Sequence, residues 1–290
     1  MPKIIYLGVR TLFAGGAKFA GCSWHLILLG IFTVALMPSQ VRAQSVPDDA
    51  SGSRESPYRF GSIFKDITDY ATAPIRWDGT DWMYFGGAIA AVAAAHGFDE
   101  RVRRHFTVET TPLNGKDPHS LSDAIPAAAV VGGTFLYATA IDDDDGRSET
   151  WSMLEASGLS SATAYVLKFA AGRERPNETT NDNEWRKGGS SFPSLHVTAA
   201  AAIGTVLAES GNDEYRWIRR FMGYGIAAGT GYLRLKHNEH WFSDTVAGAA
   251  LGASSARFVI DRDRRTDHSS TLTLIPINGG AMLSYSVPLQ

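Results

Sequence analysis

The sequence predicts an all-α bundle with a short C-terminal β-hairpin, and three observations carry the helical part. Six apolar stretches of 13 to 20 residues alternate with polar loops. They are rich in alanine, and β-branched runs are few. Their lengths suit helices better than strands. In chain order they are Trp82–Ala95, Ala124–Ile141, Met153–Ala171, Leu195–Ala208, Phe221–Leu233 and Trp241–Ile260. After the charged run Asp261-Arg262-Asp263-Arg264-Arg265 the pattern changes. Leu272 and Leu274, then Asn278-Gly279-Gly280, then Leu283, Tyr285 and Val287 alternate on both sides of a turn signal, which predicts the hairpin within a tail of residues 266–290.

The N-terminus reads as an address. Leu26–Met37 is an apolar run preceded by cations and followed by Pro38 and the small-x-small site Val41-Arg42-Ala43. Residues 1–43 are therefore expected to be an export signal directing the chain to a bacterial periplasm, with retention as an anchor the other outcome. Residues 44–57 are rich in Ser, Asp and Pro and predict a solvated linker; the domain is expected over 58–265.

Only Ala124–Ile141 approaches the length and polarity of a membrane span, and it contains Pro126. Met153–Ala171 carries Glu155 and Lys168, Trp241–Ile260 carries Asp244 and Arg257, and the mean hydropathy of −0.11 is low for six spans. The expectation is a soluble or surface-associated bundle, with contact to a membrane surface.

From Gln44 onward the chain has 23 cations against 30 anions, a net of −7. That balance argues against a nucleic-acid partner, which requires a basic surface. The single cysteine, Cys22, lies in the leader, so the domain has no disulfide, no redox thiol and no cysteine ligand for a metal. Asp142-Asp143-Asp144-Asp145-Gly146 lacks the alternating ligands of a calcium loop and reads as a solvated acidic loop.

Three clusters carry chemistry. In Lys168-Phe169-Ala170-Ala171-Gly172-Arg173-Glu174-Arg175-Pro176, Lys168 and Arg175 are two helical turns apart and can face one anion, although taken alone they read more readily as a solvated face. In Ser190-Ser191-Phe192-Pro193-Ser194-Leu195-His196, a proline and serines precede an apolar helix. They place Ser194, His196 and free backbone N–H groups, including that of Leu195, at a helix N-terminus, which suits phosphate.

The third cluster is Arg234-Leu235-Lys236-His237-Asn238-Glu239-His240-Trp241-Phe242-Ser243-Asp244. His240 and Asp244 are four apart, so on a helix the carboxylate can accept the Nδ1 proton and leave Nε2 free as a nucleophile. A metal site at His237 to His240 would need three or more ligands in a spacing that the segment does not offer. Three cations, a helix N-terminus and a carboxylate-paired histidine fit phosphoryl transfer without a metal.

These clusters resemble the signature K-x6-RP, PSGH and SR-x5-H-x3-D of the type 2 phosphatidic acid phosphatase (PAP2) superfamily. Here they read Lys168…Arg175-Pro176, Pro193-Ser194-Leu195-His196 and Arg234…His240…Asp244. The resemblance implies a helical phosphatase in which His240 attacks phosphorus, Asp244 orients it and His196 serves as acid and then base. It also implies that Lys168, Arg175, Ser194, Leu195 and Arg234 hold the phosphate. Leu195 stands where the family has glycine, and Leu233 where it has serine. The implied substrates are phosphate monoesters or diphosphates, soluble or lipid-linked, with no cofactor and with vanadate as an inhibitor. Two alternatives stay open: a vanadium haloperoxidase, in which vanadate is the cofactor, and a non-catalytic anion- or lipid-binding scaffold.

Overall fold

The computed structural model describes residues 63–106, 120–141, 143–211, 215–267, 271–277 and 280–286. The expected leader 1–43 and linker 44–57 lie outside the described residues. Helix α1 (Ile63–Thr72) and a 3-10 turn (Ala73–Arg76) lead into α2 (Gly79–His96), α3 (Asp99–Phe106) and α4 (Ser120–Ala140). Helices α5 (Asp144–Ala171), α6 (Leu195–Glu209), α7 (Arg216–Lys236) and α8 (Phe242–Asp267) follow. Each of the six apolar stretches lies within one of these helices, give or take a terminal residue.

Helix ends follow local chemistry. Asp78 caps α2 by accepting from the backbone N–H of Thr80 and Asp81 at 2.8 and 2.9 Å, and Asp81 returns a bond to Asp78 N. Asp143 caps α5 by accepting from Asp145 N. Part of the acidic run expected as a loop is thus the cap and first turn of the longest helix. Negative charge there is favoured by the helix dipole.

Helix α6 is the centre of the bundle and packs against α5, α7 and α8. Its sequence, LHVTAAAAIGTVLAE, is small or apolar on every face, and a helix of that kind is buried all round. Val197, Ala200, Ala202 and Val206 are fully enclosed. Gly204 meets Gly223 of α7 backbone to backbone, and Gly252 of α8 lies against the Thr198 carbonyl, so glycine sets how closely the three helices approach. The shared core adds Met153 and Ala156 from α5 with Ala256 and Val259 from α8.

Several outward faces are apolar as well. Tyr137 on α4, Phe169 on α5, and Trp217 and Phe221 on α7 are all more than two-thirds exposed. Leu121–Ala140 is a 20-residue window long and apolar enough to cross a membrane, with only 17% of it buried.

After α8, the backbone of Thr271–Ile277 runs antiparallel to Gly280–Ser286. An isolated two-stranded ribbon is marginally stable in water, so the fold class rests on the helices and the expected hairpin is not counted as part of the fold.

Gly204→Ala should lower the unfolding free energy by about 1–3 kcal/mol, because the added methyl must push α6 and α7 apart. Gly229→Ala, whose β-carbon meets open space, should be neutral or better. Thermal unfolding of the two variants beside wild type checks the difference.

Candidate active site

The C-terminal end of α5, the N-terminal end of α6, the C-terminal end of α7 and the N-terminal end of α8 meet at one end of the bundle. Helix α5 stops at Gly172, whose φ of 53° is the left-handed cap that glycine adopts without a β-carbon clash. The chain then leaves the helix axis, and Arg173 and Arg175 go to different partners. Arg175 pairs with Glu239, whereas Arg173 reaches Asp244 and Asp99.

Lys168, in the last turn of α5, donates to the carbonyls of Ser190 and of Pro193, the latter at 3.0 Å. It thereby ties α5 to the loop that opens α6. Burial first, then the neighbouring cations Arg175 and Arg234, lower its pKa to about 8 against the pull of Asp244.

Ser194 is the N-cap residue of α6. It is fully buried, its hydroxyl makes no capping bond, and that oxygen has no hydrogen-bond partner. A buried hydroxyl left so at a helix N-terminus is a place for an anionic ligand. Leu195, the first residue of α6, sits in ordinary helical backbone, so the absence of glycine there imposes no unusual backbone angle. His196 follows in the same turn and is half-buried.

Helix α7 ends at Lys236, and Asn238 takes a left-handed conformation (φ 57°) that asparagine tolerates. This turn folds Glu239 N back onto the Arg234 carbonyl at 3.1 Å. Arg234, enclosed in α7, donates to Asp123 of α4 at 2.8 Å and lies 3.8 Å from Glu239. Glu239 thus stands between the two arginines expected to hold phosphate. His237 lies 3.1 Å from Asp123, so it and Glu239 are engaged in polar contacts of their own.

His240 lies in the turn before α8, not on a helix as the four-residue spacing suggested. Its Nδ1 is 3.7 Å from Asp244 Oδ2, an ion-pair distance longer than a hydrogen bond. The reason is that Asp244 also caps α8: its Oδ2 accepts from Trp241 N at 2.9 Å and from the Ser191 hydroxyl. Burial first, with Arg234 and Lys168 adding, holds the His240 pKa down to about 3 despite Asp244, so the ring is neutral at physiological pH. Burial alone would raise Asp244, but His240, Arg173 and Ser191 bring it below the ordinary carboxylate value.

The structure therefore brings Lys168, Arg175, Ser194, Arg234, His240 and Asp244 to one end of four helices. The sequence reading missed Arg173, Asp99, Asp123 and Glu239. Asp99 and Asp123 lie in segments that were not singled out, whereas Arg173 and Glu239 lie inside the first and third clusters, where nothing in the spacing ranks Arg173 against Arg175. His96, Asp99 and Asp182 offer ligand atoms within 4.8 Å of one another, but the Arg173 guanidinium bonds to Asp99 and to the Asp182 carbonyl in their midst.

The profile of the PAP2 superfamily matches residues 149–265, which contain all eight expected site residues. Over this segment the chain is similar to the PAP2 superfamily. The chain is 32% identical over 112 residues to a lipid A 1-phosphatase of Porphyromonas gingivalis, a match that covers 37% of this chain and 23% of that protein. The match thus spans about a quarter of the curated relative. A crystal structure of a transmembrane PAP2 type phosphatidylglycerolphosphate phosphatase from Bacillus subtilis aligns with a TM-score of 0.44 and 21% identity over 63% of this chain and 94% of that one.

Lys168 is cationic below about pH 8 and loses its charge above it, so affinity for inorganic phosphate should fall as pH rises through about 8. Calorimetric titration of phosphate between pH 7 and 9.5 checks this, and Lys168→Met should flatten the dependence.

Proposed function

We propose that the chain is an exported, metal-independent phosphatase that removes phosphate from lipid-linked monoesters or diphosphates through a phosphohistidine on His240. The observation that carries this reading is a buried, neutral imidazole facing a carboxylate and acted on by the charges of Lys168 and Arg234, at the same end of the bundle as Arg175 and the unpartnered hydroxyl of Ser194. Nε2 of His240 attacks phosphorus and the ester P–O bond breaks. His196 protonates the leaving oxygen and then takes a proton from the water that hydrolyses the P–N bond. The three cations, with Ser194 and the N–H of Leu195, stabilise the charge on the transferring group.

A lipid-linked substrate is supported by the named activity of the similar lipid A 1-phosphatase and by the exposed apolar faces of α4, α5 and α7. In this reading Leu121–Ala140 spans the bilayer, and the leader 1–43 directs export so that the site opens on the periplasmic side.

Purified protein should release phosphate from phosphatidic acid or a polyprenyl diphosphate in detergent, with chelator present, and vanadate should compete. His240→Ala should abolish release and also the acid-labile, base-stable phosphoprotein trapped from labelled substrate. Arg234→Ala should cost roughly a hundred- to thousandfold in kcat/KM. Equal inertness of folded wild type and His240→Ala on every substrate would overturn the reading.

A further inference from the structure

Arg173 is fully buried, and each of its donors has an acceptor. Nη1 donates to Asp244 Oδ1 at 2.7 Å and to Ser243 Oγ at 2.8 Å. Nη2 donates to Asp99 Oδ2 at 2.7 Å and to the Asp182 carbonyl at 2.6 Å, and Nε reaches the same carbonyl at 3.2 Å. A guanidinium has five N–H groups, and these contacts use them all. Arg175 differs: its Nε is buried without a partner. Two arginines two residues apart are therefore in different states, one saturated by protein and one with capacity left for a ligand.

Saturation comes with a fixed plane. The Arg173 guanidinium lies over Trp185 at 4.4 Å and Trp241 at 5.2 Å, so both its orientation and its position are set. Asp99, the first residue of α3, receives the Ser243 N–H at 2.7 Å and the Ser243 hydroxyl at 2.6 Å. It joins α3 to the first turn of α8 and supplies the second anion that a buried arginine between two carboxylates requires. Asp244 is thus held at Oδ1 by Arg173 and at Oδ2 by Trp241 N and Ser191, which leaves its carboxylate no rotation relative to His240.

We propose that Arg173, backed by Asp99, is the positioning residue of the centre: it fixes the Asp244 carboxylate against His240 Nδ1 and does not bind phosphate. The role rests on the phosphohistidine reading above. During transfer, the Nε2–P bond forms and the ester P–O bond breaks while Nδ1 keeps its proton and the ring gains positive charge. A carboxylate held 3.7 Å from Nδ1, an ion-pair distance, favours the tautomer with Nε2 free and stabilises that charge.

The test uses the full chain in detergent, with Arg173→Lys and the isosteric Asp99→Asn beside Asp244→Asn and the doubly substituted Arg173→Lys/Asp244→Asn. Each single change should lower kcat about 10- to 100-fold, with KM and phosphate affinity within about twofold. The double variant should lose no more than Asp244→Asn alone, because both act through one carboxylate. Nitrogen-15 spectra of the His240 ring, assigned against His240→Ala, should show the Nδ1–H tautomer in wild type and a tautomer mixture in Arg173→Lys.

A rise in KM or a loss of phosphate affinity at unchanged kcat would make Arg173 a phosphate ligand and overturn the proposal, as would multiplicative losses in the double variant or an unchanged tautomer. If Arg173→Lys fails to fold, Asp99→Asn decides by the same readouts. A wild type that turns over no substrate would sink the phosphatase reading alone, and the tautomer comparison would still decide the role of Arg173.

Discussion

Asp244 has no contact with solvent, and a carboxylate taken out of water is stable only where donors replace the lost hydration. Its donors come from the post-α5 loop (Arg173), the pre-α6 loop (Ser191) and the residue just before α8 (Trp241 N). Satisfying this one group draws together segments from three parts of the chain. The close approach of α6 to α7 and α8 through glycine brings their ends near enough for those donors to reach. Asp244 also caps α8, so the carboxylate that faces His240 is fixed by helix termination as well as by ion pairing. Moving it for chemistry would uncap the helix, which keeps the centre in one arrangement.

The rest of the site shows the same compensation of charge. Arg234 lies between Asp123 and Glu239, Arg175 pairs with Glu239, and Arg173 lies between Asp99 and Asp244. Without a ligand the arginines are balanced by carboxylates, which lets them be buried at all. On the proposed reading, an entering phosphate would meet cations that are already oriented and would compete with Glu239 for Arg175 and Arg234. The unpartnered hydroxyl of Ser194 and Nε of Arg175 are the polar atoms that such a ligand would satisfy.

The sequence made the six long helices legible because each is an apolar stretch of helical length bounded by turn residues. Helices α1 and α3 were not, since IFKDITDYAT and DERVRRHF are short and polar and are held by contacts with distant segments. The motif residues were legible because spacing along a chain survives folding at helix ends. Asp99 was not: it meets Ser243 and Arg173 across 144 and 74 residues, and no local pattern encodes that distance. The i,i+4 argument placed His240 and Asp244 near each other, as the structure does, but on one helix, which it does not. Asn238 ends α7 in a left-handed turn, so His240 approaches the carboxylate from a loop.

The apolar surface follows from the same residues that build the core. Small side chains let α6 be enclosed with little bulk, so the larger apolar side chains of the neighbouring helices are not all needed inside, and Tyr137, Phe169, Trp217 and Phe221 face outward. An alanine- and glycine-rich centre packs by close backbone approach, a mode that works in lipid as well as in water because it relies on contact and not on expulsion of water. Phe169 stands next to Lys168 in the chain, so an outward apolar side chain and a cation of the site share the last turn of α5. On the proposed reading, that turn is where a lipid could leave its chains in the apolar phase while its phosphate meets the cations.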